Sequence, residues 1–212
     1  MESLESIFEG STIPLIGASG NDSDEQDKSF LKALDQTKDI RDLFLDYIDS
    51  LIVTASDIST YLTDFFEKLY NELNSNSLVL APIDDLYNYL INELFIDTVA
   101  VLLYYEKYRE VNKLLSHTYF IKTNSSYNPI EASEYFIFRK YNSFIEEHCK
   151  PNCHQPKLFT LTGELLVQRE KRPILTKESI SNADIVLYQL GRLLIKSSRR
   201  WFPTTYREPL KT

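Results

Sequence analysis

The chain has 212 residues, 43% of them hydrophobic and 25% charged, with 5 Gly, 8 Pro, 2 Cys and a formal net charge of -8. These proportions exclude wholesale disorder, a collagen-like repeat and a disulfide scaffold, while 14 Tyr and 12 Phe supply bulk for one self-sufficient core. No stretch reads as the roughly 20 apolar residues of a membrane helix; the best candidate, Val99 to Tyr105, is closed by Glu106 and Lys107. Met1 to Gly20 carries acids where a secretory signal needs a basic start, so the chain reads as cytoplasmic, with no membrane contact.

Charge is uneven along the chain: residues 1–100 hold 20 acids and 5 bases, residues 101–212 hold 11 acids and 18 bases. Either the halves pack together and neutralise each other, or the basic end meets an acidic partner or a polyanion.

Residues 1–28 hold three of the five glycines and a polar run, Asn21 to Asp27, and read as a flexible or extended N-terminal segment. Thr12 to Gly20 has the form of an apolar strand entering a glycine turn, without the lysine and hydroxyl of a phosphate loop. From residue 29 to 212 the reading is a single helical domain.

Phe44, Ile48, Leu51, Ala55, Ile58, Leu62, Phe65 and Leu69 recur at helical spacing, with Thr54 to Asp57 as a break between two helices. The opposite face carries Asp42, Asp46, Asp49, Asp57, Asp64 and Glu67, a row suited to water or to a basic surface. Pro82 with Asp84 and Asp85 opens a long helix reaching about His117, and its nearly continuous apolar stretch makes it the centre of the fold. His117 to Thr123 reads as extended. Asn128 and Pro129 then predict a helix running through Tyr135, Phe136, Phe138, Tyr141, Phe144 and Ile145 to about His148. Leu158 to Val167 fits either a hairpin turning at Thr162-Gly163 or a helix entered from Thr162. Ser181 with Asp184 predicts the start of a last helix, Ile185 to about Ser197. The fold class expected is mainly α, an irregular multi-helix bundle with a short β element near residues 117–123 or 157–168.

Two constellations carry candidate chemistry. His148, Cys149, Cys153 and His154 gather both cysteines and two of the three histidines into seven residues, the donor types of a zinc site. Joined with Arg139 they define the rival reading, a nucleic-acid-binding or metal-dependent ribonuclease-like effector; otherwise no cofactor is expected. Helical ribonuclease spacing is not met by Arg139 with His148 or by Arg109 with His117, and no serine elbow is present. The second constellation is Arg199, Arg200, Trp201, Phe202 and Tyr206, residue types that dominate protein interfaces and that also stack on bases; the alternative is that Trp201 and Phe202 fold back to cap the core while the arginines stay in water.

The segments His117 to Phe120, Phe136 to Arg139, Ala183 to Tyr188 and Trp201 to Tyr206 together resemble the C-terminal helical region of uncharacterised bacterial proteins that accompany antiviral-defence or mobile-element loci. That resemblance covers roughly residues 85–206 and carries over no catalytic residue. It implies a sensing, scaffolding or regulatory module whose chemistry resides in another chain. The sequence therefore predicts a non-catalytic interaction or regulatory subunit of a larger assembly, with another protein chain as partner and the basic aromatic C-terminus as its contact surface.

Overall fold

The structure is a computed structural model and describes residues 23–73, 81–123, 127–148, 160–169, 172–194 and 201–205. Among them are seven α-helices and one two-stranded antiparallel sheet, the mainly α architecture expected. Helix α1 (Ser23–Thr54) already runs through the last residues assigned to the N-terminal segment, whose remainder, with the Thr12 to Gly20 turn, lies outside the described residues. The expected break follows. Thr54 turns its hydroxyl back onto the Ser50 carbonyl, and Asp57 caps α2 (Ile58–Leu73) by accepting the Ser59 amide at 3.2 Å. Along α2 the residues Ile58, Leu62, Phe65, Phe66, Leu69, Tyr70 and Leu73 are buried, a spacing of three and four that gives the helix one core-facing stripe.

Helix α3 (Ala81–Tyr104) lies at the centre, with every residue from Tyr89 to Leu102 buried. By length and composition Pro82–Tyr104 is long and apolar enough to cross a membrane, which the sequence reading had not recognised; 83% of that window is buried inside the protein. Its Leu, Ile, Val and Phe side chains each contribute about 1.5–3 kcal/mol on burial. That gain offsets the cost of enclosing Asn92, Glu93, Asp97 and Thr98 in the same helix.

The helix expected to reach His117 is two helices. The Lys107 amide donates to the Leu102 carbonyl at 2.8 Å and the Glu106 amide to Leu103 at 3.1 Å, which closes α3 with a Schellman turn. Glu106 takes the left-handed position with φ of 54°, the one non-glycine at positive φ among the described residues. Replacing Glu106 with Gly is therefore expected to raise stability by about 0.5–1 kcal/mol, the side-chain clash at this φ outweighing the freer unfolded chain. Thermal unfolding of the variant measures it, and a lower midpoint would show that the Glu106 side chain makes a stabilising contact of its own. Helix α4 (Tyr108–Ser116) follows and buries Val111, Leu114 and Leu115.

Strand β1 (Tyr119–Lys122) forms in the region read as extended and pairs antiparallel with β2 (Ile130–Ser133), Tyr119 opposite Ser133 and Lys122 opposite Ile130. The helix expected from Pro129 is thus replaced by β2, a 3-10 turn at Tyr135–Phe138 and a short α5 (Ser143–His148). Pairing with β1 holds this segment extended, and the tight turn drives Tyr135, Phe136 and Phe138 into the core while Tyr141 stays exposed.

The alternatives at Leu158 to Val167 resolve as helix α6 (Leu161–Arg169). Thr160 caps it, its hydroxyl accepting the Gly163 amide at 3.1 Å, and Glu146 accepts the Leu161 and Thr162 amides at 3.1 and 3.0 Å. Helix α7 (Lys177–Leu194) begins earlier than expected, because Thr176 rather than Ser181 supplies the cap, with its hydroxyl 3.2 Å from the Ser179 amide. One hydrophobic cluster runs through the helices, β1 and the 3-10 turn, with Phe66, Phe95, Phe138, Tyr119, Tyr135 and Trp201 as its aromatic centre.

Candidate interaction surface

The acidic and basic halves of the chain meet inside the protein. Arg169, at the end of α6, points its guanidinium at Glu93 of α3, Nε to Oε1 at 2.8 Å and Nη2 to Oε2 at 3.2 Å. Nη2 also donates to the Thr37 hydroxyl at 2.8 Å, and Nη1 to the Leu34 carbonyl. Arg41 of α1 stands 3.6 Å from Glu93 and donates to the Arg169 carbonyl at 3.1 Å; the Tyr89 hydroxyl donates to Glu93 at 3.1 Å. Burial disfavours the Arg169 charge, but Glu93 and Tyr89 more than offset that and raise its pKa. The Tyr89 phenol is raised well above its ordinary value by burial and by Glu93. Glu93 is saturated by these donors, and so is a bolt between α1, α3 and α6 rather than a base open to a substrate.

The acidic row of α1 is likewise engaged. Arg172 donates to Asp46 at 2.8 Å, to Asp49 at 3.2 Å and to the Asp42 carbonyl at 2.7 Å. Lys113 of α4 meets Asp57 at 2.8 Å, and this bond, with one from Ser59, holds the Asp57 carboxyl down at about 2. Glu67 of α2 accepts the Phe120 amide of β1 at 2.7 Å.

The aromatic segment expected to bind a partner is in part a structural strap. Trp201 is fully buried, its ring 5.9 Å from those of Phe95 and Tyr135, and its Nε1 donates to Asp184 Oδ1 at 2.6 Å. Asp184 Oδ2 accepts the amides of Thr204 and Thr205 at 2.7 and 2.8 Å and their hydroxyls at 3.2 and 2.9 Å. Gly163 lets the strap lie against α6, since a Cβ there would stand 2.2 Å from the Thr204 carbonyl oxygen. Trp201 is thereby corrected from a contact residue to a core residue: its large apolar ring is worth more inside, once Asp184 satisfies the indole N–H. Phe202, next to it, is 65% exposed and keeps its place as a contact candidate. Arg199, Arg200 and Tyr206 lie outside the described residues.

Of the metal candidates, His148 ends α5, and its side chain together with Cys149, Cys153 and His154 lies outside the described residues. Among the described residues no three His, Cys, Asp or Glu side chains gather as metal donors. Arg139 is half-buried after the 3-10 turn, where it donates to the Lys140 carbonyl while its Nε has no partner. Burial lowers its pKa, against the pull of Asp184 and Glu146. His117 stacks edge-on with Tyr119 at 4.8 Å.

Exposed apolar side chains collect at two places. Phe144 packs its ring 4.9 Å from that of Phe30 and donates its amide to Asp85, and Arg41 reaches Glu93, so α1 and α3 run parallel. Tyr104, Tyr105 and Tyr108 are exposed around the α3-α4 elbow, with the rings of Tyr104 and Tyr105 5.2 Å apart, and Val53 near the end of α1 is 84% exposed. The second place is the hairpin, where Phe120 and Ile130 are each 54% exposed. Compared with known protein families, curated proteins and solved structures, the chain matches none.

Sequence reasoning does not single out Glu93 or Arg169, and it gives Asp184 only as part of a helix start. A signal for Glu93 was present, because a carboxylate within the largely apolar helical stretch from Tyr89 to Leu102 needs a partner to be enclosed. Nothing near Arg169 marks it as that partner.

Proposed function

We propose that this chain is a non-catalytic interaction or regulatory subunit of a larger cytoplasmic protein assembly. The observation that carries the reading is a division of labour among side chains. Glu93, Arg169, Arg41 and Asp184 are spent on holding helices and strap together, while Val53, Tyr104, Tyr105, Tyr108, Phe120, Ile130 and Phe202 remain on the surface. Tyrosine-rich exposed patches gain most from covering by another protein, since each ring offers a large apolar face and a polar rim. The resemblance to proteins of bacterial defence or mobile-element loci supports an assembly of that kind as the setting.

Native mass spectrometry of the protein recovered at endogenous level tests this. The expected result is a stable assembly with a second type of protein chain, and changing Tyr104, Tyr105 and Tyr108 to Ser is expected to release it. A lone chain carrying a zinc-sized increment, or bound nucleic acid in place of protein, would overturn the subunit reading in favour of the effector.

A further inference from the structure

Resting on the subunit reading and deepening it, we infer that the outer edge of β2 docks an extended segment of a partner protein that alternates apolar and basic side chains. The backbone of the hairpin determines which groups face outward. Thr123 donates its amide to the Pro129 carbonyl at 2.9 Å, so with the register Ile121 opposite Glu131 the paired residues of β2 are 129, 131 and 133. On β1 the intervening amides turn the other way, Phe120 to Glu67 at 2.7 Å and Lys122 to Asn71 at 2.7 Å, with the Asn71 amide returning to the Phe120 carbonyl at 2.9 Å. One edge of the sheet is thereby sealed by α2 side chains. The other edge presents the amides and carbonyls of Ile130 and Ala132, and among the described residues no other element bonds to them. Ile130, Glu131 and Ala132 are all exposed. An edge with unsatisfied main-chain groups is a template for strand addition.

Charge chooses the occupant. Side chains alternate across the hairpin, so Phe120, Lys122, Ile130 and Ala132 share its outer face, with Ile130 and Ala132 on the open strand and Lys122 on the strand away from it, while Glu131 projects on the other face. Two copies pairing antiparallel through Ile130 and Ala132 would set Glu131 against its own counterpart, like charges directly opposite. A partner strand with an apolar residue beside Ile130 and Ala132 and a lysine or arginine beside Glu131 meets apolar surface on one face and an opposite charge on the other.

The test uses the full chain, labelled with 15N, and a synthetic seven-residue peptide alternating valine and lysine as the probe, beside a valine-glutamate counterpart. The expected result is saturable binding of the lysine peptide, with hydrogen exchange slowed at the Ile130 and Ala132 amides, and binding weaker by about tenfold or more for the glutamate peptide. Ala132→Pro removes an amide that faces outward and leaves the ladder to β1 intact, so it is expected to weaken the lysine peptide by a similar factor while Trp201 emission stays unchanged. Glu131→Arg keeps the edge and is expected to reverse the peptide preference, which keeps the proposal testable should the proline variant not fold. Equal binding by the Ala132→Pro protein, slowed exchange elsewhere than β2, or a dimer of the chain that dissolves on Ala132→Pro would overturn the inference. A cellular assembly that keeps its partner when Ala132 is Pro would overturn the strand edge and leave the subunit reading standing. Peptide binding at β2 by a chain recovered alone from cells would support the edge and remove the subunit reading.

Discussion

Replacing Arg169 with Leu is expected to lower the unfolding free energy by about 3–5 kcal/mol, the cost of leaving an enclosed carboxylate without its partner. The magnitude follows from where the pair sits. Arg169 and Glu93 are 5% and 1% exposed, so water cannot replace the lost donors. The Leu34 carbonyl and Thr37 hydroxyl also lose donors in the same step. Arg41, at 3.6 Å from Glu93, is the second cation beside it among the described residues and partly compensates, which favours the lower part of that range. Urea denaturation of the single variant, of Glu93→Gln and of the double variant Glu93→Gln with Arg169→Met separates the parts. The double variant is expected to regain at least half of the loss, because removing both charges removes the desolvation cost along with the attraction. A single-variant loss under about 1 kcal/mol would show that the three-helix bolt is not carried by this pair.

Changing Asp184 to Ala is expected to cost about 3–4 kcal/mol and to release the strap. One carboxylate serves the Trp201 indole, two amides and two hydroxyls, and without it these donors face each other in a space closed to water. Hydrogen bonds to a charged acceptor contribute about 1.5–3 kcal/mol each, and five sharing one acceptor add to much less than their sum. Trp201 is the single tryptophan of the chain, so its fluorescence reports the strap directly. Asp184→Ala is expected to shift that emission to the red and to lower the thermal midpoint. Asp184→Asn, which keeps an acceptor without the charge, is expected to lie between it and the unchanged protein. Unshifted emission from a destabilised Asp184→Ala protein would show that Trp201 is held by packing on Phe95 and Tyr135 alone.

Both results bear on how such a chain is used. A strap fastened by Asp184 and a bolt through Glu93 make the bundle a rigid frame, and a rigid frame can present the elbow tyrosines and the β2 edge to a partner with little ordering cost on binding.

Much of this frame was legible in the sequence. The three-and-four spacing from Phe44 to Leu69, the hydroxyl-rich break at Thr54 to Asp57 and the apolar run of the central helix each follow from local periodicity and capping, and each corresponds to an element. A short β element was legible at two alternative places, and the strand forms at the one within 117–123, where β-branched and aromatic residues are followed by turn formers, and not within 157–168, where α6 lies. Local pattern misled where two local preferences competed. Asn128-Pro129 has the form of a helix start, yet the register with β1 made a strand, and Ser181 has the form of a cap although Thr176 stood closer to the turn that starts α7.

The sequence by itself determined a mainly helical fold, an enclosed central helix and an uneven charge distribution, since these depend on side chains within a few turns of one another. Only the tertiary structure decided that Arg169 meets Glu93 across 76 residues, that Trp201 lies in the core instead of on the surface, and that among the described residues β2 pairs with β1 alone. An enclosed charge finds whichever partner the packing brings near it, and an indole is buried or displayed according to whether a buried acceptor awaits its N–H. Neither is a property of neighbouring residues.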